Sequence, residues 1–259
     1  MQATLDLDMT QFRRAAQRLL AVKRITIEKL ISDQARLFVR DAIKLTPPFG
    51  PNAITESYAA QRRIGEAAVR RDIGKVFQPL TGLNILRHPR NARLGEALQS
   101  AARSGDLATV ILLLERAGLH VRVVQAADPG LHRAARTQRG RVRFSGPPLV
   151  VMDARGLKKF IESQVSQVGK TKGGWLAAAD ALGVTGIPAW ITRHKGQIAG
   201  LIQFDRRPDY FAITIGNLVQ WSSDVAQTGV LQAALENRTR AMNTQAEILL
   251  KRELERAAA

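Results

Sequence analysis

The sequence contains no cysteine, which excludes disulfide bridges and thiolate metal sites. Aromatic residues make up only 5 %, and no aromatic-rich sheet motif for binding nucleic acid is present. No run of 18 apolar residues occurs, so a membrane-crossing helix is not expected. The opening MQATLDLDMTQF carries acids where a secretory signal carries bases and has no apolar stretch, so the expected compartment is a cytoplasm. Acidic residues are also scarce: 22 Asp and Glu face 39 Lys and Arg, a net charge of +17. Such a surplus suits a polyanionic neighbour, either nucleic acid or an acidic protein surface. A GC-rich coding sequence is the plainer origin, because most of the bases are Arg.

What the sequence does have is length and helical periodicity. With 259 residues and 45 % apolar content it can bury a sizeable core, in one large domain or two small ones. After the N-cap signal Asp8-Met9-Thr10, the apolar residues Phe12, Leu19, Ile27, Ile31, Phe38 and Ala42 recur at mostly helical spacing. The spacing predicts one helix over 11–45, a rod of roughly 50 Å. Pro47 denies Thr46 the helical region and sets the stop, and a loop of Gly, Pro, Asn and Ser follows. This reads as a joint, a rigid rod ending in a pliable segment. Residues 57–77 are again helix-like and carry Arg62, Arg63, Arg70, Arg71 and Lys75 as a basic stripe. Segment 79–105 is rich in turns and then briefly helical, and 106–117 reads as a buried helix closed by Gly118. Strands are expected at 120–125, 141–144 and 149–152, and a hairpin at 201–204 and 210–215. Further helices are expected at 156–168 and 174–182, with a second long one over 218–256. In that last helix Leu231, Leu235, Met242 and Leu249 form a seam near heptad spacing, which ordinary core packing explains without an oligomer.

A search for chemistry returns little. His88, His120, His132 and His194 lack metal-ligand spacing and read as surface or loop side chains. Gly169-Lys170-Thr171 looks like the end of a phosphate loop, but position 164 is Gln where that loop requires Gly. Asp6 and Asp8 lie at the terminus, while capping and surface charge account for Asp153 and Glu162. No catalytic set, metal site or cofactor is expected. Arg133, Arg136, Arg139, Arg141 and Arg143 crowd a short segment of small residues. That pattern suits either phosphates, neutralised without reading bases, or carboxylates on neighbouring subunits. Trp175, Trp190 and Trp221 read first as core and edge packing and second as interface anchors.

The helix ending ARLFVRDAIKLTPP, followed by a loop that starts Thr46, Pro47, Pro48, Phe49, Gly50 and Pro51, resembles minor structural proteins of tailed phages. It is similar in particular to neck or tail-completion proteins. HRAARTQRGRV (132–142), GKTKGGWLAAADALG (169–183) and IPAWITRHKG (187–196) look like phage tail proteins as well, so the resemblance touches about a third of the chain. It implies an α+β fold, a small and mostly antiparallel sheet flanked by long N- and C-terminal helices. Residues 83–155 read as an inserted α/β segment between 1–82 and 156–259, the outer two forming one domain. The implied function is non-enzymatic: a tail-completion/neck or minor tail protein, ring-forming, that connects tail to head around the DNA channel. Implied partners are further copies of the chain, connector or adaptor, tail-terminator or tail-tube proteins, and double-stranded DNA. The implied location is the virion and, during assembly, the cytoplasm of a bacterial host, with 46–51 serving as an assembly loop. Two other readings stay open, a free sequence-independent DNA-binding protein and a nuclease or other hydrolase.

Overall fold

A computed structural model describes residues 27–136, 142–207, 210–218 and 229–258. The chain begins with helices α1 (Ile27–Leu45) and α2 (Tyr58–Gly74), strand β1 (Phe77–Pro79), then helices α3 (Ala92–Ser104) and α4 (Leu107–Arg116). Strand β2 (Val123–Val124), helix α5 (Pro129–Ala134), strand β3 (Leu149–Val151) and helix α6 (Ala154–Ser166) follow. Three short helices, α7 (Lys170–Gly173), α8 (Leu176–Ala181) and α9 (Ala189–Thr192), lead to strands β4 (Gly200–Arg207) and β5 (Tyr210–Asn217) and helix α10 (Val230–Ala258). Two compact units result, one of Met1–Ile64 with Val168–Ala259 and one of Gly65–Gln167.

The expectation of one small, mostly antiparallel sheet is overturned. The chain is α+β but builds two separate sheets: a parallel one ordered β1-β3-β2 and an antiparallel pair β4-β5. The reason lies in Leu149-Val150-Val151-Met152, every residue of which is buried. A strand buried on both faces belongs between two layers of helices, the setting of a parallel sheet. Val150 and Met152 pack with Leu98, Ala101, Val110 and Leu114, which puts α3 and α4 on one face. Leu149 and Val151 pack with Ile73, Leu157 and the half-buried Ala135, which puts α2, α6 and the end of α5 on the other. Of the strand expected at 141–144, a single bridge between Arg136 and Val142 is formed among the described residues.

In the other unit α1 buries Ile31, Ala35, Phe38, Val39, Ala42 and Ile43, the i, i+4, i+7 stripe of an amphipathic helix. It packs against β5, α8 and α10. Residues 11–26, the first part of the predicted rod, lie outside the described residues. Helix α10 runs antiparallel to α1: Gln34 Nε2 donates to Gln245 Oε1 at 2.9 Å, and Arg238 pairs with the buried carboxylate of Asp41. Arg238→Ala is expected to lower the stability of this unit by about 2 kcal/mol, because the buried Asp41 carboxylate loses its partner. Urea unfolding checks this, and Arg238→Lys should recover part of the loss. The expected start of α10 at 218 is also corrected: Leu218 extends the hairpin ladder by donating its N–H to Ala199 O at 3.1 Å. Leu231 and Met242 are buried, and Leu235 lines a small cavity with Phe38 and Phe211, so these three residues of the seam face the interior of the unit. The side chain of Leu249 lies outside the described ones. Among the described residues no helix is long and apolar enough to cross a membrane.

Candidate functional site

Pro47 and Pro48 leave a specific deficit at the end of α1. In a continuing helix the carbonyls of Ile43 and Lys44 would accept the N–H groups of residues 47 and 48, and proline has none. Lys172 on α7 makes up the deficit. Its Nζ donates to Ile43 O at 2.7 Å and lies 3.3 Å from Lys44 O. It also donates to Thr46 O and, at 3.0 Å, to Gln61 Oε1. Gln61 Nε2 in turn donates to Lys44 O at 3.1 Å and to Ala53 O at 2.9 Å. Both Lys172 and Gln61 are 0 % exposed. Burial pulls the Lys172 ammonium down to about 7, with Glu56 opposing the shift and Lys44 adding to it.

The loop after the stop is held, which differs from a pliable segment. Thr46 is buried; its hydroxyl donates to Ala42 O at 2.7 Å and accepts the Trp175 indole N–H at 2.8 Å. Pro48, Phe49 and Gly50 are half-buried, whereas Pro47 and Pro51 are exposed. Gly50 N–H donates to Glu56 Oε2 at 2.8 Å, and Lys44 Nζ donates to Ile54 O at 2.7 Å. Beyond these ties the tip stays in water, with Ile54 46 % exposed.

The segment that looks like a phosphate loop, GKTKGGW, is a packing hub. Gly169 has φ 93°, and a Cβ there would lie 2.6 Å from the Trp190 ring. A Cβ on Gly174 would come within 2.0 Å of Asn217 Oδ1, and Asn217 Nδ2 donates to Thr171 O at 2.8 Å. Trp175 and Trp190 are each 5 % exposed and belong to the core of the unit. The Trp175 ring meets Phe38 edge-on at 6.4 Å. Trp221 lies outside the described residues.

Of the basic cluster, Arg133, Arg136 and Arg143 are exposed, while Arg139 and Arg141 lie outside the described residues. The bridge between Arg136 and Val142, together with Arg143 N–H donating to Ala135 O at 2.8 Å, brings the three to one end of α5. Two of the four histidines depart from the surface expectation, since His132 and His194 are buried. The His132 ring stands edge-on to Phe160, and burial lowers its pKa, helped by Arg136 and opposed by Asp72. Burial also lowers the pKa of His194, whose Nε2 lies 3.2 Å from Val168 O. Asp106, Asp128 and Asp153 accept backbone N–H groups at the starts of α4, α5 and α6. Among the described residues no three His, Asp or Glu side chains group as a metal site.

Sequence reasoning missed Lys172, Gln61 and Glu56. A signal was available: a Thr-Pro-Pro stop removes two N–H donors in succession, so a donor from elsewhere is required. Its source was hidden, because Lys172 lies 126 to 129 residues further along the chain. Compared with protein-family models, with curated proteins and with solved structures, the chain matches none.

Proposed function

We propose that the chain is a non-enzymatic structural component of a phage virion, a tail-completion/neck or minor tail protein that forms a ring at or near the head–tail junction. One observation carries the reading. Three of the four segments behind the resemblance, 35–48, 169–183 and 187–196, meet in the hub at the end of α1. The Lys172 ammonium, the Thr46 hydroxyl and the Trp175 indole N–H are spent on capping and packing there, as a rigid mount for a contact loop requires. The exposed tip around Ile54 is the part offered to a neighbouring subunit. Further copies of the chain and connector, terminator or tube proteins are the partners in this reading, in the host cytoplasm first and then in the virion.

The test is incorporation. The chain, mixed with the connector and tail-tube proteins of its own phage, should enter a closed ring of one size and travel with purified particles. Ile54→Asp should leave the melting temperature unchanged and abolish incorporation. A chain that never joins particles, or that cleaves DNA with a divalent cation, would sink the reading; normal incorporation of Ile54→Asp would sink the role of the loop alone.

A further inference from the structure

We infer that the Gly65–Gln167 unit binds duplex DNA without regard to sequence, through the face covered by α2, α5 and α6. This unit holds 17 Lys and Arg against 8 Asp and Glu. The two sides of its parallel sheet share that surplus unequally. On the side of Leu149 and Val151, α2 presents Arg70 and Arg71 to solvent, Lys75 follows its last residue, and the end of α5 presents Arg133, Arg136 and Arg143. Helix α6 adds Arg155, Lys158 and Lys159, also exposed. Lys75 pairs with Asp72 at 3.3 Å, whereas the six Arg of this face have no carboxylate partner among the described residues. This side also carries Glu66, Asp72, Asp128, Asp153 and Glu162, so nine bases face five acids. On the other side Arg90, Arg93, Arg103 and Arg116 stand with Glu96, Glu115 and the capping Asp106, four bases to three acids.

Unpaired guanidinium groups arriving from three separate elements suit a broad polyanion better than one carboxylate. A protein partner would call for apolar anchors at the centre of the surface. Among the described residues of Gly65–Gln167 this face exposes one large apolar side chain, Leu131, while Ile64 of α2 is exposed just outside that unit. Phosphate backbone needs charge and positioning without such anchors. The inference rests on the virion reading only for where the DNA lies.

The test uses the full chain and two labelled duplexes of unrelated sequence, followed by fluorescence anisotropy. Both duplexes should bind equally, and affinity should fall about a thousandfold between 50 and 200 mM salt if about six phosphates are contacted. Replacing Arg133, Arg136 and Arg143 by Ala should weaken binding about tenfold or more and reduce the salt slope by roughly 2 to 3. The matching Lys variants should keep most of the affinity, which separates charge from folding. Alanine at Arg93, Arg103 and Arg116 should change little. No binding at 50 mM salt, equal losses in the two Ala variants, or equal binding of polyglutamate would overturn the proposal. Each of those outcomes leaves incorporation into particles untouched, so failure here and failure of the virion reading are told apart.

Discussion

Lys172→Met should destabilise the unit containing α1 by about 3 kcal/mol or more, the scale for removing one partner of a buried charged network. Methionine keeps the length and apolar stem of lysine but has no donor. The carbonyls of Ile43 and Thr46 and the amide oxygen of Gln61 would then be left buried without the donor they now share. Urea unfolding followed by tryptophan fluorescence measures the loss, since Trp175 and Trp190 both sit in this unit. Adding Gln61→Leu should make the double variant less unstable than the two single losses summed, because it removes one of the stranded acceptors. The wild type should also respond to pH in a defined direction. Burial holds the Lys172 pKa near 7, below its ordinary 10.5, so the unfolded chain binds more protons between those values. Stability contributed by this group therefore rises from about pH 7 towards 10.5 and is absent below 7. Lys172→Met should remove that rise.

Val150→Asp and Val151→Asp should each unfold the Gly65–Gln167 unit, at a cost of several kcal/mol against a typical total of 5–15. Their side chains point to opposite faces of β3, and both are buried. In a sheet with one wet face, one of the two substitutions would be tolerated. Here α3 and α4 cover the first position, and α2 and α6 cover the second. Circular dichroism melts of both variants decide the matter, and survival of either would refute the three-layer arrangement.

Local chemistry was legible in the sequence where it acts over a few residues. The end of α1 followed from Pro47, the helix after Asp106 from its apolar run, and the hairpin from its alternating run. Helix α6 starts at Ala154, two residues before the expected 156, because Asp153 caps it. In the parallel sheet, β2 and β3 lie inside the runs expected at 120–125 and 149–152, but β1 and the parallel order were not legible, for a physical reason. Strand β1 spans three residues, too short for any periodicity, and Phe77 continues the pattern of the helix before it. Whether Leu149 to Met152 meets water on one face depends on helices up to 80 residues away, as with Val69 of α2, which packs against the cluster that contains Leu149. The same holds at the hub: Gly-Lys-Thr-Lys-Gly-Gly carries small residues for close approach, which a phosphate and a tryptophan ring reward alike. The buried positions of His132 and His194 likewise depend on Phe160 and Val168 rather than on flanking Arg or Lys.

The donor that completes α1 also sets an order of events in synthesis. The carbonyl ends of that helix emerge from the ribosome early, while Lys172 emerges only after all of Gly65–Gln167 has been made. The inner unit is continuous in sequence and has every residue it needs before the outer unit receives its lysine. The outer unit must bring its two halves together across that length, so its closure comes last. Until then Ile43, Lys44 and Thr46 present their carbonyl oxygens to water, and the loop after Thr46 has no fixed mount. The ordered loop is thus a product of the second half of the outer unit, not of the helix that precedes it.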